Sequence, residues 1–287
     1  MRLLSLTDSG GPLAAVATPR GPVALSAIAE LAGAGWPRSV EALIHEGRLD
    51  EVRSWLDREA ATLAEIPVLR DATPAPLLRR PTKILGVGLN YAEHAGDLGE
   101  TRPDEPATFM KPSTTIVGPG EEIVVPRQSQ RTTGEAELAL IVGRRCRDVP
   151  VERAAEVLAG VTTVIDMTAE DILQRNPRFL TRAKSFDTFL AIGSELAPVD
   201  EPDGVSRLEV ITTHGGRPAR RNTVANMLHG PWELVAFFSS VMTLEPGDLI
   251  STGTPGAVVL AGGDEIGCEI EGVGRIACPV RDAKRGA

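Results

Sequence analysis

Gly134-Glu135-Ala136-Glu137-Leu138-Ala139-Leu140-Ile141-Val142-Gly143 is the stretch that decides how this chain is read. Its apolar residues fall on both parities, which marks a strand buried on both faces. Side chains two apart share a face, so Glu135 and Glu137 point the same way. Two like charges at the mouth of a buried strand repel each other and lose solvation. A divalent cation would offset that cost; an exposed strand edge is the plainer alternative. Asp166 ends the apolar run Val161 to Ile165, a second buried strand, and is the natural third ligand. Three carboxylates with no His or Cys in these segments suit Mg²⁺, Mn²⁺ or Ca²⁺ rather than zinc. Such a cation keeps open positions for substrate oxygens.

Outward from this stretch, short β-like runs alternate with Gly and Pro turns from Lys83 onward. They include Ile84 to Gly88, Thr115 to Val117, Glu122 to Val125, Leu208 to Thr213, Asp248 to Ser251, Asp264 to Ile270 and Arg275 to Val280. Helical patterns intervene at Val151 to Leu158 and Trp232 to Thr243. Residues 1–75 differ, with a strand-like start and helical patterns at Ile28 to Leu31 and Val40 to Leu69. Asp71-Ala72-Thr73-Pro74-Ala75-Pro76 reads as a linker. The pattern predicts an α+β fold with a rolled or barrel-like mixed sheet over 76–287. A small N-terminal α/β domain over 1–75 precedes it.

Composition sets the outer limits. The 287 residues are 42% hydrophobic and 24% charged, enough for a sizeable core. A net charge of -9 argues against a nucleic-acid footprint, which needs clustered Lys and Arg. Arg217, Arg220 and Arg221 read as a solvated loop or as a contact for substrate or partner. Cys146, Cys268 and Cys278 are too few and too scattered for a disulfide framework or zinc site, and the last two read as small core residues. No signal peptide and no membrane-length apolar run is evident, so a cytoplasmic protein is expected. Gly86-Val87-Gly88 invites a dinucleotide-binding reading, but Tyr91 stands where that motif needs a small residue.

Six blocks together resemble the fumarylacetoacetate hydrolase family, in its bacterial acylpyruvase and 2-hydroxyhepta-2,4-diene-1,7-dioate isomerase-like branch. Gly88-Leu89-Asn90-Tyr91-Ala92-Glu93-His94 is similar to its Asn-Tyr-x-x-His signature, and Phe109-Met110-Lys111-Pro112 to the segment that follows. Glu135-Ala136-Glu137-Leu138 resembles its ligand pair. Asp166-Met167-Thr168-Ala169-Glu170-Asp171 resembles the block carrying the third ligand, and Ala183-Lys184-Ser185-Phe186-Asp187 its Lys-Ser-Phe-Asp block. Leu244-Glu245-Pro246-Gly247-Asp248 and Thr252-Gly253-Thr254-Pro255 are like its C-terminal signature. The blocks run in order over 83–280.

The resemblance implies a β-roll-like catalytic domain, a homodimer, and a Mg²⁺ or Mn²⁺ ion on Glu135, Glu137 and Asp166. Substrates would be small 2-oxo or 2,4-dioxo acids. Hydrolytic C–C cleavage of an acylpyruvate is the leading reaction. Decarboxylation and isomerisation of unsaturated oxo acids are alternatives, as is a non-catalytic member that binds metal or ligand alone.

The resemblance also places a catalytic His–carboxylate pair at His94 and Asp97. Asp97 stands where the family usually has Glu, and Glu100 is the other candidate partner. Lys184 would balance negative charge near the metal and bind a substrate oxygen. Gly253, Thr254 and Tyr91 are candidates for substrate binding, with Arg127, Arg131 and Arg182 as further candidates for a substrate carboxylate. Lys111 is expected to be structural, and Asp171 to cap or ion-pair.

Overall fold

Runs of Val, Ile and Leu cut by glycine turns become strands through most of the chain. The computed structural model describes residues 2–91 and 104–284. The first strands are β1 (Leu3–Asp8), β2 (Gly11–Thr18), β3 (Gly21–Ala24) and the short β4 (Thr73–Pro74). Next come β5 (Ile84–Gly88), β6 (Ala107–Lys111), β7 (Ile116–Val117), β8 (Ile123–Val125), β9 (Thr132–Val142) and β10 (Leu158–Ala169). Then follow β11 (Leu190–Ile192), β12 (Glu195–Leu196), β13 (Glu209–His214) and β14 (Arg217–Thr223). The last are β15 (Leu249–Ser251), β16 (Val258–Val259), β17 (Glu265–Ile270) and β18 (Gly274–Asp282).

The large sheet runs β6-β5-β15-β9-β10-β11-β7, with β16 added to β9. It is mixed: β15 lies parallel to β5 and β7 to β11, while β9 is antiparallel to β10 and β15. A second sheet, β14-β13-β17-β18-β8, packs against one face of it. This is the expected rolled, mixed-sheet α+β architecture.

The N-terminal sheet, β12-β1-β2-β3 with β4 on β1, is antiparallel throughout. It carries helices α1 (Leu25–Ala32), α2 (Val40–His45) and α3 (Leu49–Glu59). The single helical stretch expected from Val40 to Leu69 is interrupted at Gly47, whose φ of 66° is left-handed. The chain then tightens into 3₁₀ turns at Ala60–Ala64. Val151–Val157, expected as α-helix, is also 3₁₀. The expected linker contributes β4, because Thr73 and Pro74 find partners on β1. Arg217, Arg220 and Arg221 lie on the edge strand β14 rather than in a loop.

Parity on β9 divides the interior. Ala136, Leu138, Leu140 and Val142 face the core beneath the second sheet. Ala139 and Ile141 face a second core, shared with Leu43, Ile44, Val52 and Leu56 of the N-terminal helices. Residues on both sides of position 75 therefore share that core, and β12 joins β1. Among the described residues no helix is long and apolar enough to cross a membrane.

Candidate metal centre

Glu135 and Glu137 have the parity of Ala139 and Ile141, so the face that packs the N-terminal helices turns polar toward the start of β9. Antiparallel register sets Asp166 of β10 directly opposite Glu135, and Val164 opposite Glu137. Cross-strand neighbours on one face are within side-chain reach, both opposite and diagonal. One carboxylate oxygen from each of Glu135, Glu137 and Asp166 lies within 4.8 Å of the others. All three side chains are buried.

Each carboxylate is held separately. The hydroxyls of Thr133 and Thr168 donate to Glu135 Oε1 at 3.2 and 2.9 Å. Ser251 Oγ and the Gly253 amide donate to Glu137 Oε2 at 2.5 and 2.8 Å. Among the described residues nothing donates to Glu137 Oε1. Lys184 Nζ reaches Glu135 Oε2 at 3.0 Å and Asp166 Oδ2 at 2.5 Å. Lys184 ends the short helix Leu180–Lys184, which lays its ammonium over the cluster.

Lys111 joins them. Its ammonium bonds Asp166 Oδ1 and donates to the Met167 carbonyl at 3.2 Å. Expected to be structural, it is buried inside the carboxylate cluster. The available signal is strand alternation, since Met110 is exposed and Phe109 and Lys111 therefore share the inner face of β6.

Two ammonium groups face three carboxylates, and burial and mutual charge shift the ionisation of Glu137, Asp166, Lys111 and Lys184. Burial, then the Asp166 charge, pushes Glu137 up to about 8. Burial works to raise Asp166 as well, but Lys111 and Lys184 outweigh it and hold the acid below its usual range. Burial lowers Lys111 to about 8 against the pull of Asp166. In Lys184 the desolvation is overcome by Asp166, Glu135 and Glu137, and its ammonium is strengthened.

The remaining expected residues are dispersed around this cluster. Gly253 has a φ of 98°, and a Cβ there would lie 2.7 Å from Asn90 Cβ, so glycine is required for its amide to reach Glu137. Thr254 is buried, with its hydroxyl engaged by Gly256 in the same turn at 3.2 Å. Tyr91 is fully buried, its hydroxyl has no hydrogen-bond partner among the described residues, and burial followed by the Glu137 charge raises its pKa.

Asn90 is not among the expected site residues, yet it ties this region together. Its side chain donates to Thr252 O at 2.7 Å and His229 O at 3.0 Å, and accepts from His229 N at 2.9 Å. Asp171 accepts from Ser129 Oγ at 2.7 Å and Gln130 N at 3.1 Å, a structural role as expected. Arg131 pairs with Glu170 at 2.7 Å, while Arg127 and Arg182 are exposed. His94, Asp97 and Glu100 lie outside the described residues.

The donor set fits a hard divalent cation. It is all carboxylate oxygen, it is buried, it has more acidic than basic groups, and Glu137 keeps an oxygen that no described protein group engages.

Comparison with known proteins identifies the family and the fold. Residues 83–281 match the family described as Fumarylacetoacetate (FAA) hydrolase C-terminal. An uncharacterised protein of Archaeoglobus fulgidus is 39% identical over 234 residues, spanning 80% of this chain and 91% of that protein. The crystal structure of 5-carboxymethyl-2-hydroxymuconate delta-isomerase from Mycobacterium smegmatis is similar over 100% of both chains, with a TM-score of 0.74 and 29% identity. The maleylpyruvate hydrolase of Sphingobium sp. SYK-6, crystallised with manganese(II) and pyruvate, is similar over 98% of this chain and 99% of that one, with a TM-score of 0.79 and 26% identity.

Proposed function

The chain belongs to the fumarylacetoacetate hydrolase family, and on that premise we propose that it is a divalent-metal-dependent hydrolase of acylpyruvate-type 2,4-dioxo acids. The observation that carries the proposal is the buried convergence of Glu135, Glu137 and Asp166 with Lys111 and Lys184. A protein assembled for stability alone gains little from five buried ionisable groups, because desolvation offsets most of their attraction. The manganese and pyruvate held by the related maleylpyruvate hydrolase support the same assignment.

Glu135, Glu137 and Asp166 would hold Mg²⁺ or Mn²⁺. When bound, the cation would supply Lewis-acid polarisation of the 2-oxo acid's oxygens. The chain's own groups do the rest. Lys184 presents a permanently charged ammonium to a substrate oxygen and favours negative charge there as the C3–C4 bond breaks. Ser251 and Gly253 fix the Glu137 carboxylate, so its orientation is set before substrate arrives. His94, with Asp97 or Glu100 as its carboxylate partner, would take a proton from water as the water oxygen bonds to C4. The C3–C4 electron pair leaves on the pyruvate fragment, and C3 then takes up a proton, giving pyruvate and a carboxylic acid. The turn Gly253-Thr254 and Tyr91 line the substrate's side of this arrangement. Homodimeric assembly and a cytoplasmic location belong to the same proposal.

The likeness to a delta-isomerase over the whole chain favours a second reading. If no water is delivered, the same groups support proton transfer within an unsaturated oxo acid. One experiment separates the two. The protein is stripped with chelator, reloaded with Mg²⁺ or Mn²⁺, and given a panel of acylpyruvates and oxaloacetate while enol absorbance and products are followed. Metal-dependent release of pyruvate and acid, lost in Glu135→Ala, is the expected result. Metal binding with isomer formation alone would shift the assignment to isomerase, and absence of metal binding would overturn the proposal.

A further inference from the structure

Phe109 sits in the centre without being one of its ionisable groups. It is buried on β6 directly opposite Gly86 of β5. A Cβ at Gly86 would lie 2.2 Å from Phe109 Cζ, so glycine alone lets the ring rest on that strand. Over this ring stand both lysines of the cluster, Lys184 Nζ at 4.7 Å and Lys111 Nζ at 5.8 Å from its centroid. Both also bond Asp166, so two like charges are gathered at one carboxylate. An aromatic ring carries negative charge density on its face and attracts a cation within about 6 Å, more strongly where water is excluded.

We infer that Phe109 is a positioning residue of the proposed centre: its ring face, seated on Gly86, holds the Lys184 ammonium toward the carboxylates and offsets its repulsion from Lys111. An apolar side chain of similar size would fill the same space but carry no such charge distribution. Shape and electrostatics therefore separate cleanly in a test. The assignment rests on the proposed function only where turnover is the readout, because the contact between ring and ammonium exists in the protein without substrate.

The test uses the full chain. Phe109 is replaced by phenylalanines carrying one, two and three ring fluorines, which drain the ring face of negative charge with little change of shape. Phe109→Leu and Phe109→Tyr accompany them. In Mn²⁺-loaded protein, acylpyruvate kcat should fall stepwise with fluorination, about tenfold across the series, matched by Phe109→Leu and largely restored by Phe109→Tyr. KM should move less than kcat. The second readout needs neither metal nor turnover. In protein labelled with ¹³C-lysine, the Lys184 ε-methylene protons, identified by their loss in Lys184→Arg, should be shifted upfield by the ring and return toward the ordinary lysine position in Phe109→Leu.

A flat fluorination series with Phe109→Leu as active as wild type would overturn the inference, as would a Lys184 resonance with no ring shift. If wild type turns over no oxo acid yet shows the ring shift, the proposed reaction falls while the hold of Phe109 on Lys184 stands.

Discussion

Two buried ionic clusters lie along β5 and β15, toward opposite ends, and they differ in charge balance. At one end Lys83 and Asp248 immediately precede the two strands. Asp248 accepts from Lys83 N at 2.9 Å and Glu245 N at 2.7 Å, and its carboxylate pairs with Lys83 Nζ at 2.6 Å. One carboxylate meets one ammonium, with backbone amides occupying both oxygens. At the other end Ser251 and Gly253 hold Glu137, and three carboxylates face two ammonium groups. The first cluster closes a turn with its acid and base matched; the second has one acid more than it has ammonium groups. Balance marks a structural ion pair, and imbalance marks a place prepared for something that is not protein.

The largest expected effect breaks the second cluster. Glu137→Gln keeps the side chain's size but removes the carboxylate of a proposed metal ligand, and should cut metal-dependent kcat/KM by about a thousandfold. Thermal melts of the metal-free variant should show no loss of stability, because repulsion at the site is relieved. A variant both inactive and strongly destabilised would erase the contrast between the two ends.

Asp248→Ala is the converse. It strands the Lys83 ammonium and two amides, and should cost about 3 kcal/mol, read as a drop in Tm of about 5–10 °C. Steady-state kinetics on the folded, metal-loaded variant should show kcat within about twofold of wild type, since the pair touches no reacting group. Loss of kcat in well-folded protein would show that the two clusters are coupled.

Acidity sharpens the comparison further. Glu137 has its folded-state pKa raised from 4.5 to about 8. Across that window the folded chain binds more of this proton than the unfolded chain, so stability falls as pH rises. Metal-free wild type should therefore lose stability between about pH 5 and 8 relative to Glu137→Gln, in paired denaturant titrations. Metal binding requires the proton to leave, so Mn²⁺ affinity measured by calorimetry should rise over the same range.

The smallest effect belongs to a pair outside both clusters. Arg131 is half exposed where it meets Glu170, so Arg131→Ala should change stability by less than about 1 kcal/mol. Activity should be retained; a large rise in KM would instead return Arg131 to the substrate site.

Much of the centre is legible in the sequence. Period two puts Glu135 and Glu137 on one face, apolar context buries them, and Asp166 closes a second buried strand. Cys268 and Cys278 are buried and free, as expected of small core residues, and are not cross-strand partners, since Cys268 pairs with Ile276 and Cys278 with Ile266. Legibility fails where a long-range partner decides the outcome. Lys111 reads as structural because nothing local shows that its strand lies within reach of Asp166. Thr73 and Pro74 read as linker because β1, their partner, lies far earlier in the chain.

The sequence by itself determined which residues carry charge and which side of a strand each one takes, because strand parity is a local property of the backbone. It determined the chemistry of the donor set for the same reason: hard oxygen ligands are a matter of residue type. Only the tertiary structure decided the register that places Asp166 against Glu135, the approach of Lys111 and Lys184, and the seating of Phe109 on Gly86. These are contacts between segments far apart in the chain. Their energies depend on burial and neighbouring charge, which no local pattern encodes.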